Sequence, residues 1–314
     1  MLYMTTRDDH DAFTSHKALL ENSAPDGGLY IPYKLPMFSK EQISSFINLS
    51  FAETVAKMLN LFFSAQLNSW DIDFCLGRNP LKLGYPGRKS VVLETWHNPG
   101  RSYAYAANSL NTLLIKDKKG QVSSWTGVAI TIAFMFGAYV ELCKENILQP
   151  HDSFDICVRA GDFTEPAAAL YCKQMGLPIQ KIIICTKENS AVWDLVNHGQ
   201  FGTALLHPKQ KLGMERLIRS IFDSTEVAHY KAACERHGVY TLSEENNLVL
   251  AEHIFAAVIG SERSNNFAGN VFNACGYPLD PDAAICYAGV QDYRAKTGQG
   301  SLAVLFGHIA QSDS

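Results

Sequence analysis

From residue 89 onward, short apolar runs alternate with helical patterns, and that alternation narrows the fold before anything else does. Val91-Val92-Leu93, Phe154 to Val158, Lys181 to Cys185 and Ser301 to Phe306 read as strands. Between and after them, Glu165 to Met175, Ala191 to His198, Leu212 to Phe222, Asn247 to Ile259, Asn266 to Cys275 and Asp282 to Lys296 read as helices. Strand runs that are apolar throughout are buried on both faces. Separated by helices, they point to an α/β fold with a parallel sheet flanked by helices.

The first 88 residues read differently. Phe13 to Glu21 forms a short helix, and the turn Pro25-Asp26-Gly27-Gly28 leads into a strand-like Leu29 to Pro32. Ser39 is an N-cap for Lys40 to Leu49. Phe51 to Ala65 carries Val55, Met58, Leu59, Phe62 and Phe63 at helical spacing. Residues 1–88 are therefore expected to form a helical N-terminal subdomain, and residues 89–314 an α/β domain.

Bulk properties exclude several functions. A net charge of −4, with no block of like charges, gives no footprint for nucleic acid or for a membrane surface. None of the eight cysteines forms a CxxC pair, and most lie in apolar runs, so buried free thiols are expected. No His/Cys/Asp/Glu set has metal spacing, and no GxSxG, P-loop or dinucleotide fingerprint occurs. The apolar run Val128 to Leu142 is short for a membrane span and reads as a buried helix. The segment from Met1 to Asp8 lacks the apolar core of a signal peptide, so the cytoplasm is the expected location.

Several segments, in order along the chain, resemble the threonine synthases, pyridoxal-phosphate (PLP) enzymes of fold type II. They are Tyr3-x-Thr5-Thr6-Arg7, Ala24 to Pro32, the tryptophan-led Trp125 to Tyr139, Ala160-Gly161-Asp162-Phe163-Thr164, Lys173 to Ile179, Ile182 to Asn189, Met214-Glu215-Arg216-Leu217 and Leu279 to Ala283. The resemblance implies a truncated fold-type-II sheet.

The departures fall where that family's chemistry lies. His97-Asn98-Pro99-Gly100-Arg101-Ser102-Tyr103-Ala104-Tyr105 is similar to the segment F-H-G-P-T-x-x-F-K-D, with Ala104 in the place of the cofactor lysine. Only about twenty residues separate Ala104 from Trp125, fewer than the roughly thirty of a βαβ unit. The family's small substrate lobe is therefore expected to be missing. In the loop that resembles T-G-N-F-G, which cradles the PLP phosphate in the family, Thr164 replaces a glycine, and Asp162 and Glu165 add carboxylates. Acids there suit the helix dipole, repel a phosphate dianion and can occupy the N–H groups themselves. Asp282-Ala283 stands in place of a His-Thr pair. These changes together imply that no cofactor is used.

Two functional readings follow. In the first, the old pocket is rebuilt as a PLP-independent lyase, cyclase or isomerase acting on a small amino-acid-like or carboxylate substrate. His97 is then the acid/base, Arg101 a carboxylate anchor, and Tyr103, Tyr105 and Asp162 orient or move protons. Asn98, Ser124, Thr164 and Glu165 complete the substrate contacts. In the second, the chain is a non-catalytic relative that binds a ligand or a partner, and His97 and the tyrosines merely cap and fill. The expected partner set is a small molecule and a second copy of the chain as a homodimer, which would cover the face left by the missing lobe. Ser123-Ser124-Trp125 also reads more simply as a helix cap with an aromatic anchor.

Overall fold

The computed structural model describes residues 1–77, 81–94, 103–115, 123–187, 191–236 and 238–306, with the backbone alone at 103–106. The chain forms two compact units, each assembled from separate stretches. Unit 1 takes residues 1–81, 95–152 and 167–178, and unit 2 takes 82–94, 153–166 and 179–314.

Unit 1 begins with β1 (Leu2–Thr5), β2 (Phe13–Thr14), α1 (Ser15–Leu20) and β3 (Tyr30–Pro32). Strand β1 pairs antiparallel with both β2 and β3. Helices α2 (Lys40–Phe46), α3 (Phe51–Phe63) and α4 (Ser69–Leu76) follow. Each starts on a capping box: Ser39 with Gln42, Ser50 with Glu53, and Asn68 with Asp71. These reciprocal bonds satisfy N–H groups that a helix start otherwise leaves unpaired. Strands β4 (Lys82–Gly87) and β5 (Ser90–Glu94) then form a hairpin that belongs to unit 2. The chain returns to unit 1 with α5 (Tyr103–Ile115) and α6 (Ser124–Lys144).

Helix α6 is apolar almost all round and is buried along nearly its whole length. It is the single described helix long and apolar enough to cross a membrane, and here it is the core of unit 1. Trp125 near its start is fully buried. The indole Nε1 donates to Tyr3 Oη at 2.9 Å, and Tyr3 Oη donates to the Phe62 carbonyl at 2.9 Å. The rings of Tyr3, Phe62 and Tyr171 meet Trp125 edge-on. The indole thus buries a large surface without orphaning its one donor.

Unit 2 continues with β6 (Phe154–Arg159), α7 (Thr164–Gln174, whose later turns belong to unit 1), β7 (Ile179–Thr186), α8 (Ala191–His198) and β8 (Gln200–Gly202). Helices α9 (Pro208–Arg219) and α10 (Ser224–Glu235), β9 (Val239–Thr241), α11 (Glu244–His253), β10 (Ile254–Val258), α12 (Ser261–Cys275), α13 (Pro281–Thr297) and β11 (Leu302–Phe306) complete it. The central sheet has six strands in the order β10-β7-β6-β11-β5-β4. All neighbours are parallel except β4, which runs antiparallel to β5 at the edge. The architecture is α/β with a mixed, mostly parallel sheet, as the alternation of patterns predicts.

Two elements differ from expectation. The helical reading of Asn247 to Ile259 is wrong at its end, because α11 stops at His253 and Ile254 to Val258 is a strand paired with β7. Lys181 of β7 accounts for the stop. Its ammonium donates to the carbonyls of Ala251 and Glu252 at 2.8 Å each, taking acceptors at the helix end. Strand β4 reads in sequence as Pro and Gly punctuation, yet its backbone completes the hairpin with β5.

Candidate functional site

Ligands of open α/β sheets bind outside the carboxyl ends of the strands, where the strand order reverses. Here the chain runs from β6 outward to β7 and β10, then comes back through β11 on the other side of β6. The residues that end β5, β6 and β7 are Glu94, Arg159 and Thr186.

Two polar groups lie along this edge of unit 2. In the first, Tyr277 Oη donates to Glu94 Oε1, and Lys82 Nζ lies 3.9 Å from the other carboxylate oxygen. Glu94 is 6% exposed. Burial, reinforced by Glu94, pushes the Tyr277 phenol well above its ordinary value. Gly84 faces this pair, and a Cβ there would overlap both Tyr277 Oη and Glu94 Oε1. Close by in sequence, Asp280 caps α13, its Oδ1 accepting from the N–H groups of Asp282 at 2.9 Å and Ala283 at 3.0 Å. Its Oδ2 is buried with no partner among the described residues. Burial pushes this carboxyl up, against the pull of the two capping donors.

The second group surrounds a cavity of about 330 Å³ beyond the ends of β6 and β7. It is lined by Arg159, Gly161, Phe163, Thr186, Lys187 and Gln210, together with Ala160 and Val192. Arg159 Nη1 donates to Asp282 Oδ1, so the guanidinium is held by the first turn of α13. The loop between β6 and α7 is fixed at several points. Ala160 N–H donates to the Cys185 carbonyl at 2.9 Å, and Gln210 Nε2 donates to the Gly161 carbonyl at 3.0 Å. Phe163 adopts a positive φ of 66° with its ring buried. Gly213 of α9 lies against the Asp162 carbonyl, where a Cβ would overlap it.

Of the residues singled out in sequence, Asp162, Thr164 and Glu165 lie on this loop and the first turn of α7. Asp162 is exposed, and its Oδ1 accepts from the Thr164 N–H at 3.1 Å. Its carboxylate thus holds one of the helix-start donors, as the sequence allows. Ser124 begins α6 in unit 1. There Ser123 is the N-cap, accepting from Thr126 N–H at 3.1 Å, and Trp125 is the buried anchor. Tyr103 and Tyr105 fall in the first turn of α5, described by backbone alone. His97, Asn98 and Arg101 lie outside the described residues. Sequence reasoning missed Glu94, Arg159, Lys187, Gln210 and Tyr277. A signal existed for three of them, since each apolar strand run ends on a charge or just before one: Leu93-Glu94, Val158-Arg159 and Thr186-Lys187.

Comparison with known proteins agrees with the fold. A sequence model described as threonine synthase N terminus matches residues 2–78. The threonine synthase of Pseudomonas aeruginosa is 21% identical over 391 positions, which take in 91% of this chain and 83% of that one. The solved structure of PLP-bound threonine synthase from Brucella melitensis superposes with a TM-score of 0.81 at 18% identity, covering 98% of this chain and 88% of that chain. The chain is thus similar to the threonine synthases, by sequence model over residues 2–78 and in fold over nearly its whole length. The fold is that of the family's fold type II members. The human relative threonine synthase-like 1 is 24% identical over 176 residues, 52% of this chain but only 23% of that protein. The alignment with the Pseudomonas threonine synthase has far more positions than this chain contributes residues, so that relative carries residues this chain lacks.

Proposed function

We propose that this protein is a PLP-independent member of its family, a lyase, cyclase or isomerase acting on a small amino-acid-like or carboxylate substrate in the cytoplasm. The observation that carries the reading is the loop entering α7. A PLP phosphate there would need free N–H donors, whereas Thr164 N–H is taken by the Asp162 carboxylate. The aldehyde would need a lysine, and the corresponding residue is Ala104. The residues present do not fit PLP. In this reading His97 exchanges protons, Arg101 holds the substrate carboxylate, Tyr103, Tyr105 and Asp162 orient it, and Asn98, Ser124, Thr164 and Glu165 complete the contacts. A homodimer is the assembly proposed.

The test is spectroscopic. Purified protein incubated with PLP is expected to develop no internal-aldimine absorbance and no adduct after borohydride reduction. A reducible adduct on one specific lysine would overturn the proposal.

A second reading, a non-catalytic ligand- or partner-binding relative, is favoured by one specific observation. Asp162 spends a carboxylate oxygen on the Thr164 N–H, so one proposed proton-handling group serves the backbone.

A further inference from the structure

The β4–β5 hairpin turns on Arg88 and Lys89. Gly87 pairs with Ser90, so these two residues are the whole loop, and both have positive φ, 50° and 51°. A two-residue turn with that backbone ordinarily carries Asn-Gly or Asp-Gly, and longer side chains are strained in it. Arg294 holds the turn in place, donating from Nη1 to the Arg88 carbonyl and from Nη2 to the carbonyls of Lys89 at 2.8 Å and Ser301 at 2.9 Å. Lys89 Nζ donates to the Gly300 carbonyl at 3.3 Å. The exposed Arg88 guanidinium makes no hydrogen bond or ion pair among the described residues. Strain kept in place by a buttress points to a use for the side chain it presents.

Arg88 lines a cavity of about 170 Å³ between this turn, α12 and α13. The wall is apolar at Phe267, Val271 and Tyr287, and polar at Arg88 and Asn270. Burial raises the Tyr287 phenol while the charges of Arg88 and Arg294 oppose it, so both guanidinium groups stand within electrostatic reach of this wall. Ser90 and Glu94 are the two ends of β5, about 13 Å apart at about 3.3 Å per residue. The cavity lies at the Ser90 end, and neither the loop entering α7 nor the segment after Glu94 contributes to it.

We infer that this cavity binds a small aromatic monocarboxylate, with its ring against Phe267, Val271 and Tyr287 and its carboxylate on Arg88. Size limits the apolar part, since a dry cavity of about 150 Å³ holds one benzene ring. Charge selects the polar part. Arg88, Lys89 and Arg294 bring three cations to the turn without an ion pair among the described residues, and the buried Asp155, which acts on Arg294, offsets only one. An anion is favoured there over a neutral or cationic ligand. The free guanidinium offers a planar donor edge that matches a carboxylate, and the Asn270 amide, which makes no hydrogen bond among the described residues, supplies a further donor. The site goes beyond the function proposed above and depends on neither the loss of PLP nor His97.

The test is calorimetric titration of the whole protein with benzoate, with benzyl alcohol and acetate in parallel. Benzyl alcohol keeps the ring without the charge, and acetate keeps the charge without the ring. Benzoate is expected to bind about tenfold more tightly than either. Arg88→Gln should weaken benzoate about tenfold. Ala274→Phe, at an exposed position of α12 that lines the cavity, should fill the space and abolish binding. Arg88→Gly should also lose binding yet melt above the parent, because glycine accepts the positive φ without strain. Cys275 is exposed and lines the cavity, so benzoate should slow its labelling by iodoacetamide and leave that of Cys234 unchanged. Melting curves establish that the variants fold. The inference is overturned if benzoate gives no binding or binds no more tightly than benzyl alcohol or acetate. It is equally overturned if Arg88→Gln or Ala274→Phe binds like the parent, if Arg88→Gly melts below the parent, or if benzoate leaves the labelling of Cys275 unchanged.

Discussion

Asp280 serves the start of α13 with one oxygen and leaves the other buried without a partner among the described residues. Desolvation is the larger influence on it, so its carboxyl titrates above the ordinary 3.8. A raised carboxyl binds its proton more tightly folded than unfolded. Its contribution to stability is therefore full below 3.8 and lost as the pH rises through the raised value. Asp280→Asn keeps an N-capping oxygen and removes the charge. The variant is expected to melt above the parent at neutral pH, with the margin shrinking as the pH falls toward 3.8. Parallel melts across that range check it, and a margin that grows on acidification would show that the cap, not burial, dominates. Such residues are hard to see in a sequence. Asp280-Pro281-Asp282 announces a helix start, but nothing in it says that one carboxylate will be buried and the other will hold Arg159.

The elements were more legible than the site, and for a physical reason. Helix boundaries are set by neighbours in sequence, and Ser39 marks a start that the structure keeps, whereas the helix that Asn68 caps went unread. The sheet strands Val91 to Leu93, Phe154 to Val158 and Lys181 to Cys185 are apolar runs that only a covered sheet can bury. Strand β10 escaped because Ile254 to Val258 continues the apolar pattern of α11, and the residue that ends the helix, Lys181, is about seventy residues away. In unit 1 the Trp125–Tyr3–Phe62 chain ties α6, β1 and α3 through one hydroxyl. Tyr3→Phe should strand the indole N–H and the Phe62 carbonyl and cost about 1–3 kcal/mol. Urea unfolding measures this, and a loss below about 0.5 kcal/mol would mean that water replaces the hydroxyl.

Across the whole molecule, burial decides which thiols can react. Cys75, Cys143, Cys157, Cys172, Cys185 and Cys286 are buried, Cys234 is half-buried and Cys275 is exposed. Ellman's reagent should therefore label Cys275 rapidly and Cys234 slowly in the native protein, and the other six only in denaturant. Rapid labelling of more than two would contradict the packing of the two cores. The sheet order carries a different consequence. Strand β11 comes after every other described strand, yet it lies between β6 and β5. Until Phe306 has been synthesised, the β4–β5 hairpin and the β6-β7-β10 trio are two half-sheets, each offering an open edge to any passing strand. A nascent or prematurely terminated chain ending before Leu302 would thus leave the ribosome with both edges unsealed, and its partner of least resistance would be another such chain.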